Sequence, residues 1–71
     1  MRLRQFPAKE KRKAVVLTVL AELFVKEKIY TEKEINEILK AVYTDFATLR
    51  RYLIDYRYLD RKSDGSAYWV R

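Results

Sequence analysis

Three side chains that can hydrogen-bond to nucleic-acid bases recur at helical spacing near the middle of the chain. Thr44, Thr48 and Arg51 are three or four residues apart, so a helix would carry them on one face. An arginine fork can bond the O6 and N7 atoms of guanine together, and threonine hydroxyls can contact bases or phosphates. We therefore take these three residues as candidate DNA base contacts. A plainer alternative stays open for Arg51, because Asp55 follows it at the spacing of a solvated surface ion pair.

Basic side chains form a second group that could contact a polyanion. The chain has a net charge of +6, and the excess lies mainly at the N-terminal end. Cations in the first turns of a helix oppose the helix dipole, and a nucleic-acid backbone would offset that cost. A charged segment that only improves solubility is the alternative. The candidate phosphate contacts are Lys9, Lys11, Arg12, Lys13, Arg61 and Lys62.

Residue patterns typical of catalysis or metal binding do not occur in the sequence. The chain has no cysteine and no histidine, and its carboxylates are scattered along helical patterns. Its 71 residues have room for one domain, 1–71, whose core needs most of the apolar side chains. No apolar run is long enough to span a bilayer. We expect a cytoplasmic protein that is not an enzyme, binds no metal or cofactor and does not enter a membrane.

The elements that must position these side chains begin with a basic arm at about residues 1–7. Arg2 and Arg4 of this arm could reach along a duplex. A first helix is predicted from about Ala8 to Lys26, because apolar residues recur there at a period of 3.6. The predicted core stripe of this helix is Val16, Leu17, Leu20, Leu23 and Phe24. Its outer face carries Val15 and Val19, which indicate homodimerisation or, alternatively, scattered exposed valines.

Two further helices follow a short β-prone stretch at residues 28–30. Thr31 with Glu34 forms the pattern of a capping box, which predicts the start of a second helix of about three turns. Thr44 is the next candidate N-cap, and the third helix is predicted from about Asp45 to Arg57. Arg50 lies on the flank of the apolar stripe of this helix, so we expect it to pair with Asp60 or another carboxylate.

The last segment predicts a β-hairpin with Asp64 and Gly65 in a type I′ turn. Such a turn pairs Lys62 with Ala67 and Leu59 with Val70. The order of helix, short strand, helix, helix and hairpin predicts a mainly α fold with a small β-sheet, the winged helix-turn-helix. A three-helix bundle with a loose tail is the alternative, but an isolated hairpin is marginally stable in water and needs something to pack on.

Four segments of the sequence resemble a bacterial domain family of unknown role. They are residues 6–13, 30–36, 49–55 and 64–69. Members of that family occur alone or fused to regulators similar to the arsenical-resistance repressors, which implies a winged-helix fold and a role in transcription. The sequence departs from the family pattern at Arg57, where the pattern has glycine. A left-handed helix end costs a non-glycine residue more, so the junction between the third helix and the hairpin stays open.

The first functional hypothesis is a transcriptional regulator that binds double-stranded DNA through its third helix and wing. The second is a protein-interaction or dimerisation module that uses the same fold to dock a fused or partner regulator, because fold does not settle function. Single-stranded or RNA binding through aromatic rings is a third possibility, although such rings are more often part of the core in a domain this small. The aromatic residues in question are Tyr52, Tyr58, Tyr68 and Trp69.

Overall fold

The computed structural model describes residues 3–71, and Met1 and Arg2 lie outside the described part. It has three helices and a two-stranded antiparallel sheet, so the predicted mainly α class with a small sheet is confirmed. The elements are α1 (Glu10–Ala21), α2 (Glu32–Lys40), α3 (Phe46–Asp55), β1 (Leu59–Arg61) and β2 (Tyr68–Val70).

Helix α1 ends earlier than the periodicity predicts. The N–H groups of Leu23 and Phe24 donate to carbonyl oxygens three residues back, which tightens the chain after Ala21. The next N–H, that of Val25, donates to the hydroxyl of Tyr30 at 2.7 Å and leaves the helical pattern altogether. The prediction that Leu23 belongs to the core is therefore wrong, because the tightened turn leaves it 47% exposed.

The strand predicted at residues 28–30 is a single bridge in the described structure. Tyr30 and Tyr68 exchange two backbone hydrogen bonds, each of 2.8 Å. The ladder cannot continue beyond Tyr30, because the next residue, Thr31, is already the N-cap of α2. The third strand is thus reduced to one residue that ties the start of α2 to β2.

The capping box of α2 is confirmed. Thr31 accepts a hydrogen bond from the N–H of Glu34, and the carboxylate of Glu34 accepts one from the N–H of Thr31.

The N-cap of α3 is Asp45, one residue after the predicted Thr44. The carboxylate of Asp45 accepts from the N–H of Thr48 at 3.2 Å, and its charge suits the positive end of the helix.

Helix α3 ends on a residue with left-handed backbone. Arg57 has φ 65°, its N–H donates to Ile54, and the N–H of Tyr58 donates to Leu53. These two bonds form a Schellman motif, which normally places glycine at the left-handed position. The junction therefore has the ordinary geometry of a left-handed helix end, with arginine in the position that glycine normally takes.

The hairpin has the predicted register with a different turn. Leu59 pairs with Val70, and the N–H of Lys62 donates to Ala67. Only Gly65 in the loop has positive φ, whereas a type I′ turn requires two such residues. Residues 63–66 form a four-residue loop, in which the carboxylate of Asp64 accepts from the N–H two residues on.

One hydrophobic core joins all three helices and the hairpin. In the described residues no buried side-chain nitrogen or oxygen lacks a hydrogen-bond partner, and the buried set is wholly apolar or aromatic. It consists of Leu17, Leu20, Phe24, Tyr30, Ile35, Leu39, Val42, Leu49, Leu53, Leu59 and Tyr68.

Candidate nucleic-acid interface

Two of the three predicted base-contacting residues are exposed, one on the outer face of α3 and one just before the helix. The side chain of Arg51 is 84% exposed, and Thr44, just before the helix, is exposed as well. Thr48 is partly buried and donates its hydroxyl hydrogen to Asp45 at 2.7 Å. Its oxygen keeps lone pairs that can accept a hydrogen bond. Arg51 is therefore the most accessible hydrogen-bond donor of the three.

Arg51 forms an ion pair along the helix. Its Nε atom lies 3.8 Å from Oδ2 of Asp55, and both side chains are more than half exposed. An exposed pair of this kind contributes little to stability and is screened by salt. The pair neutralises Asp55 in the unbound chain, and Arg51 can leave it at small cost.

A cleft of about 410 Å³ lies between α3 and the hairpin. Three arginines and two carboxylates line it together with the ring of Tyr68. These charged residues are Glu32, Arg50, Arg51, Asp55 and Arg61. The sequence patterns did not predict this cleft, because its walls come from elements distant in the chain.

Arg50 is held at the back of this cleft, as expected for a structural residue. Its guanidinium donates to the side-chain oxygen of Asn36 and lies 3.7 Å from the carboxylate of Glu32. The same carboxylate accepts from the hydroxyl of Tyr68 at 3.0 Å. Burial and this contact raise the pKa of Tyr68. Arg50 thus links α2, α3 and β2, with Glu32 rather than the suggested Asp60 as partner.

The hairpin residues Arg61 and Lys62 are exposed on the opposite wall of the cleft and beyond it. The guanidinium of Arg61 lies beside Gly65, at the tip of the hairpin. Neither residue forms an ion pair with another side chain of residues 3–71. Their charges are therefore available to an external anion.

The basic residues of α1 divide into two groups. Lys9, Lys11 and Arg12 are exposed. Lys13 is only 16% exposed, because its ammonium lies 3.6 Å from Glu10 and 5.1 Å from the centre of the Tyr52 ring. These contacts give Lys13 a packing role, so the first three remain the accessible candidates for phosphate.

The N-terminal segment is docked where an extended arm was expected. The N–H of Leu3 donates to Val42 at 2.7 Å, and Phe6 stacks on Tyr52 with ring centres 4.8 Å apart. Arg4 remains exposed, whereas Arg2 lies outside the described residues. The two apolar residues of the segment were the signal for docking, since a small domain rarely leaves such side chains unused.

A hydrogen bond joins the start of α1 to the end of α3. The hydroxyl of Tyr56 donates to Glu10 at 2.7 Å. This bond lowers the pKa of Glu10 and raises the pKa of Tyr56 to about 12. It holds the exposed cations of the first turn of α1 at the C-terminal end of α3.

Comparison with known proteins gives one match. Residues 2–70 match the family model described as "Uncharacterized protein conserved in bacteria (DUF2087)". The chain belongs to the DUF2087 family. No curated protein and no solved structure has a significant match to the chain.

Three of the four aromatic residues considered for single-strand binding in this DUF2087 chain are used in packing. Tyr68 is 1% exposed, and Tyr52 lies against Phe6, Tyr56 and Lys13. The hydroxyl of Tyr58 is 2.9 Å from that of Thr18 on α1. These contacts leave Trp69, which is partly exposed, as the remaining ring of the four on which an unpaired base could stack.

Exposed apolar residues cluster at α1 and the loop after it. Val15 is 64% and Val19 42% exposed, as the dimerisation hypothesis requires. Three apolar residues that follow α1 in the chain are exposed as well: Leu23, Val25 and Ile29. Leu23 and Ile29 were not predicted, because their exposure follows from the early end of α1 and the missing strand.

Residues 3–71 of this DUF2087 chain hold neither a metal-binding cluster nor a membrane-spanning helix. No three carboxylates come together in a group that could hold a metal ion. None of the helices α1, α2 and α3 has the length and apolar character needed to cross a membrane.

Proposed function

We propose that this DUF2087 chain is a winged helix-turn-helix domain that binds duplex DNA. The element order and the short connection at residues 41–45 between α2 and α3 support this assignment. The backbone bridge from Tyr30 to β2 stands where the third strand of a winged helix would pair. The observation that carries the proposal is the free outer face of α3, where Arg51 is 84% exposed.

In this proposal α3 enters the major groove and the hairpin lies beside the phosphates. Arg51 reads a guanine, and Thr44 and Thr48 make the shorter base contacts. Arg61 and Lys62 contact phosphates on the wing side of the cleft. Lys9 and Lys11 contact phosphates near the C-terminal end of α3, where the bond from Tyr56 to Glu10 holds the start of α1. Lys13 is left to its contacts with Glu10 and Tyr52.

Entry into the groove requires Arg51 to leave Asp55. Both side chains are exposed and the pair is loose, so exchanging the carboxylate for a guanine edge costs little. Asp55 then faces the DNA as an acceptor, which favours a cytosine N4 amino group over a phosphate nearby. The proposed site is therefore more selective than a uniformly basic face.

The test is a selection from random duplex DNA at two salt concentrations, followed by binding titrations of variants. Arg51→Ala should reduce discrimination between the selected and scrambled sequences by about tenfold, the size of one good base contact. Lys11→Ala should weaken binding to all sequences alike and lower the salt slope by about one. Lys26→Ala, in the loop after α1, is the control and should change neither quantity.

The proposal fails if no motif is enriched and neither Arg51→Ala nor Lys11→Ala changes binding. Salt-sensitive binding without a motif would restrict the function to the DNA backbone. Absence of binding even at low salt would select the second candidate, a protein-interaction module. The carboxylates of Glu32 and Asp55 in the cleft favour that candidate, since they oppose a polyanion and suit a basic protein segment.

A further inference from the structure

We propose that α1 pairs in antiparallel orientation with α1 of a second copy of this chain. The outer face of the helix carries Arg12, Val15, Val19 and Glu22 at steps of three, four and three residues. These steps place the four side chains along one line on a helix. All four are exposed, with Val15 at 64% and Val19 at 42%.

The line of residues is self-complementary about its midpoint. A twofold axis at the level of Leu17 brings Val15 opposite Val19 of the second copy. The same axis brings Arg12 opposite Glu22 of the second copy. Because a twofold interface uses each contact twice, one axis gives two valine contacts and two ion pairs. A parallel pairing would instead place like charges against each other.

The strongest support for the antiparallel pairing is the distribution of charged residues along α1. Glu22 is the C-cap residue, the last turn has no basic residue, and Lys11 and Arg12 lie near the N-terminus. Glu10 in the first turn suits the dipole but is already engaged by Lys13 and Tyr56, whereas Lys11, Arg12 and Glu22 oppose the dipole of the helix in which they lie. An antiparallel neighbour brings an acidic C-terminal end to each basic N-terminal end. DNA phosphates could offset the charge at the N-terminal end only.

The chain itself offers no partner to these two residues. Among residues 3–71, neither Arg12 nor Glu22 has an oppositely charged group within 4 Å. Ten residues of helix separate them by about 15 Å, beyond the screening length of about 8 Å in physiological salt. Glu22 does border a shallow cleft lined by Lys26, Arg57 and Arg71, without an ion pair to any of them.

The contact area implies a weak and reversible dimer. A helix of 12 residues is about 18 Å long, shorter than a standard protein interface requires. Leu23, which is 47% exposed beside the line, extends the apolar part. We expect dissociation constants on the order of tens of micromolar. The inference does not rest on DNA binding, and its test contains no DNA.

The experiment is sedimentation equilibrium of the whole chain and of two charge reversals. R12E and E22R should each weaken self-association at least tenfold, because each creates two like-charge contacts. An equimolar mixture of the two variants should associate again, since a mixed dimer has two attractive pairs. The double variant R12E/E22R should also associate. K33E on α2, which carries the same charge change as R12E, should leave association unchanged.

Both reversals should keep the fold, because each places at its helix end the charge that the dipole favours. Thermal unfolding of each variant checks this point. An unaltered chain that stays monomeric at high micromolar concentration overturns the proposal. If R12E and E22R self-associate as strongly as the unaltered chain, the antiparallel register is overturned. The same holds if an equimolar mixture of the two variants fails to associate, and the assignment of this face falls with the register.

Discussion

Substitution of Arg57 tests whether the left-handed backbone after α3 is strained. It occupies the left-handed position that follows α3, with φ 65°, and its side chain is exposed. The conformation is imposed by two backbone hydrogen bonds that close the helix and start the hairpin. Replacing the residue by glycine keeps these bonds and removes the clash between Cβ and the carbonyl oxygen.

The expected gain follows from two opposing terms. A left-handed residue with a Cβ is strained by about 1–2 kcal/mol, and the greater freedom of glycine in the unfolded chain reduces the net difference to about 1 kcal/mol. Loss of the guanidinium near a helix C-terminus removes a favourable dipole contact of about 0.3 kcal/mol. Arg57→Gly should therefore raise the free energy of unfolding by about 0.5–1 kcal/mol. In a domain of this size each kcal/mol shifts the melting temperature by roughly 4–8 °C, so we expect an increase of about 2–8 °C.

Arg57→Ala is the matched control, because it removes the guanidinium and keeps Cβ. It should be neutral or slightly destabilising, so that the difference between the two variants isolates the backbone term of about 1 kcal/mol. Urea and thermal unfolding measure both variants against the unaltered chain. Equal stabilities of the glycine and alanine variants would show that the left-handed position carries no strain, and the reasoning would be refuted.

Three further substitutions probe other contacts of the fold. Tyr30→Phe leaves a partly buried backbone N–H without its acceptor and should lower the free energy of unfolding by about 1–3 kcal/mol in urea titrations. Thr31→Ala removes a capping box and should cost about 1 kcal/mol, whereas Thr44→Ala, which removes no cap, should cost almost nothing. The hydrogen bond to Glu10 raises the pKa of Tyr56 to about 12. Its contribution to the free energy of unfolding is therefore fully present below pH 10 and is lost as the pH rises through 12. Ultraviolet titration should show this late phenolate step in the unaltered chain and not in Tyr56→Phe, in which the pKa of Glu10 should also rise.

The features that the sequence predicts correctly are those with local causes. The capping box at Thr31 and Glu34 depends on side chains three residues apart, and the hairpin register depends on the position of Gly65. The end of α1 and the reduced third strand were missed for one reason. Both depend on Tyr30, whose hydroxyl captures the N–H of Val25 and whose backbone reaches β2, and neither contact is visible in a periodic pattern.

The candidate site was predictable to a similar degree. Exposure of Arg51 follows from helical spacing alone, and the structural role of Arg50 follows from its place beside the apolar stripe. The identity of its partners does not, because Glu32 and Asn36 come from α2 and their distance is set by helix packing. The cleft with Arg61 arises in the same way, between a helix and a hairpin whose relative position no local pattern contains.

The small size of the chain decides which residues can be used to test its function. A domain of 71 residues buries little surface, and this one places Phe6 and the ammonium of Lys13 against Tyr52. Substitution of these residues changes stability together with any binding. Arg50 is unsuitable for the same reason, since its partly buried guanidinium holds Asn36 and Glu32 of α2 against α3. Arg51 and Lys11 are exposed and touch little of the fold, so a change in DNA affinity at either position reports on contact rather than on unfolding.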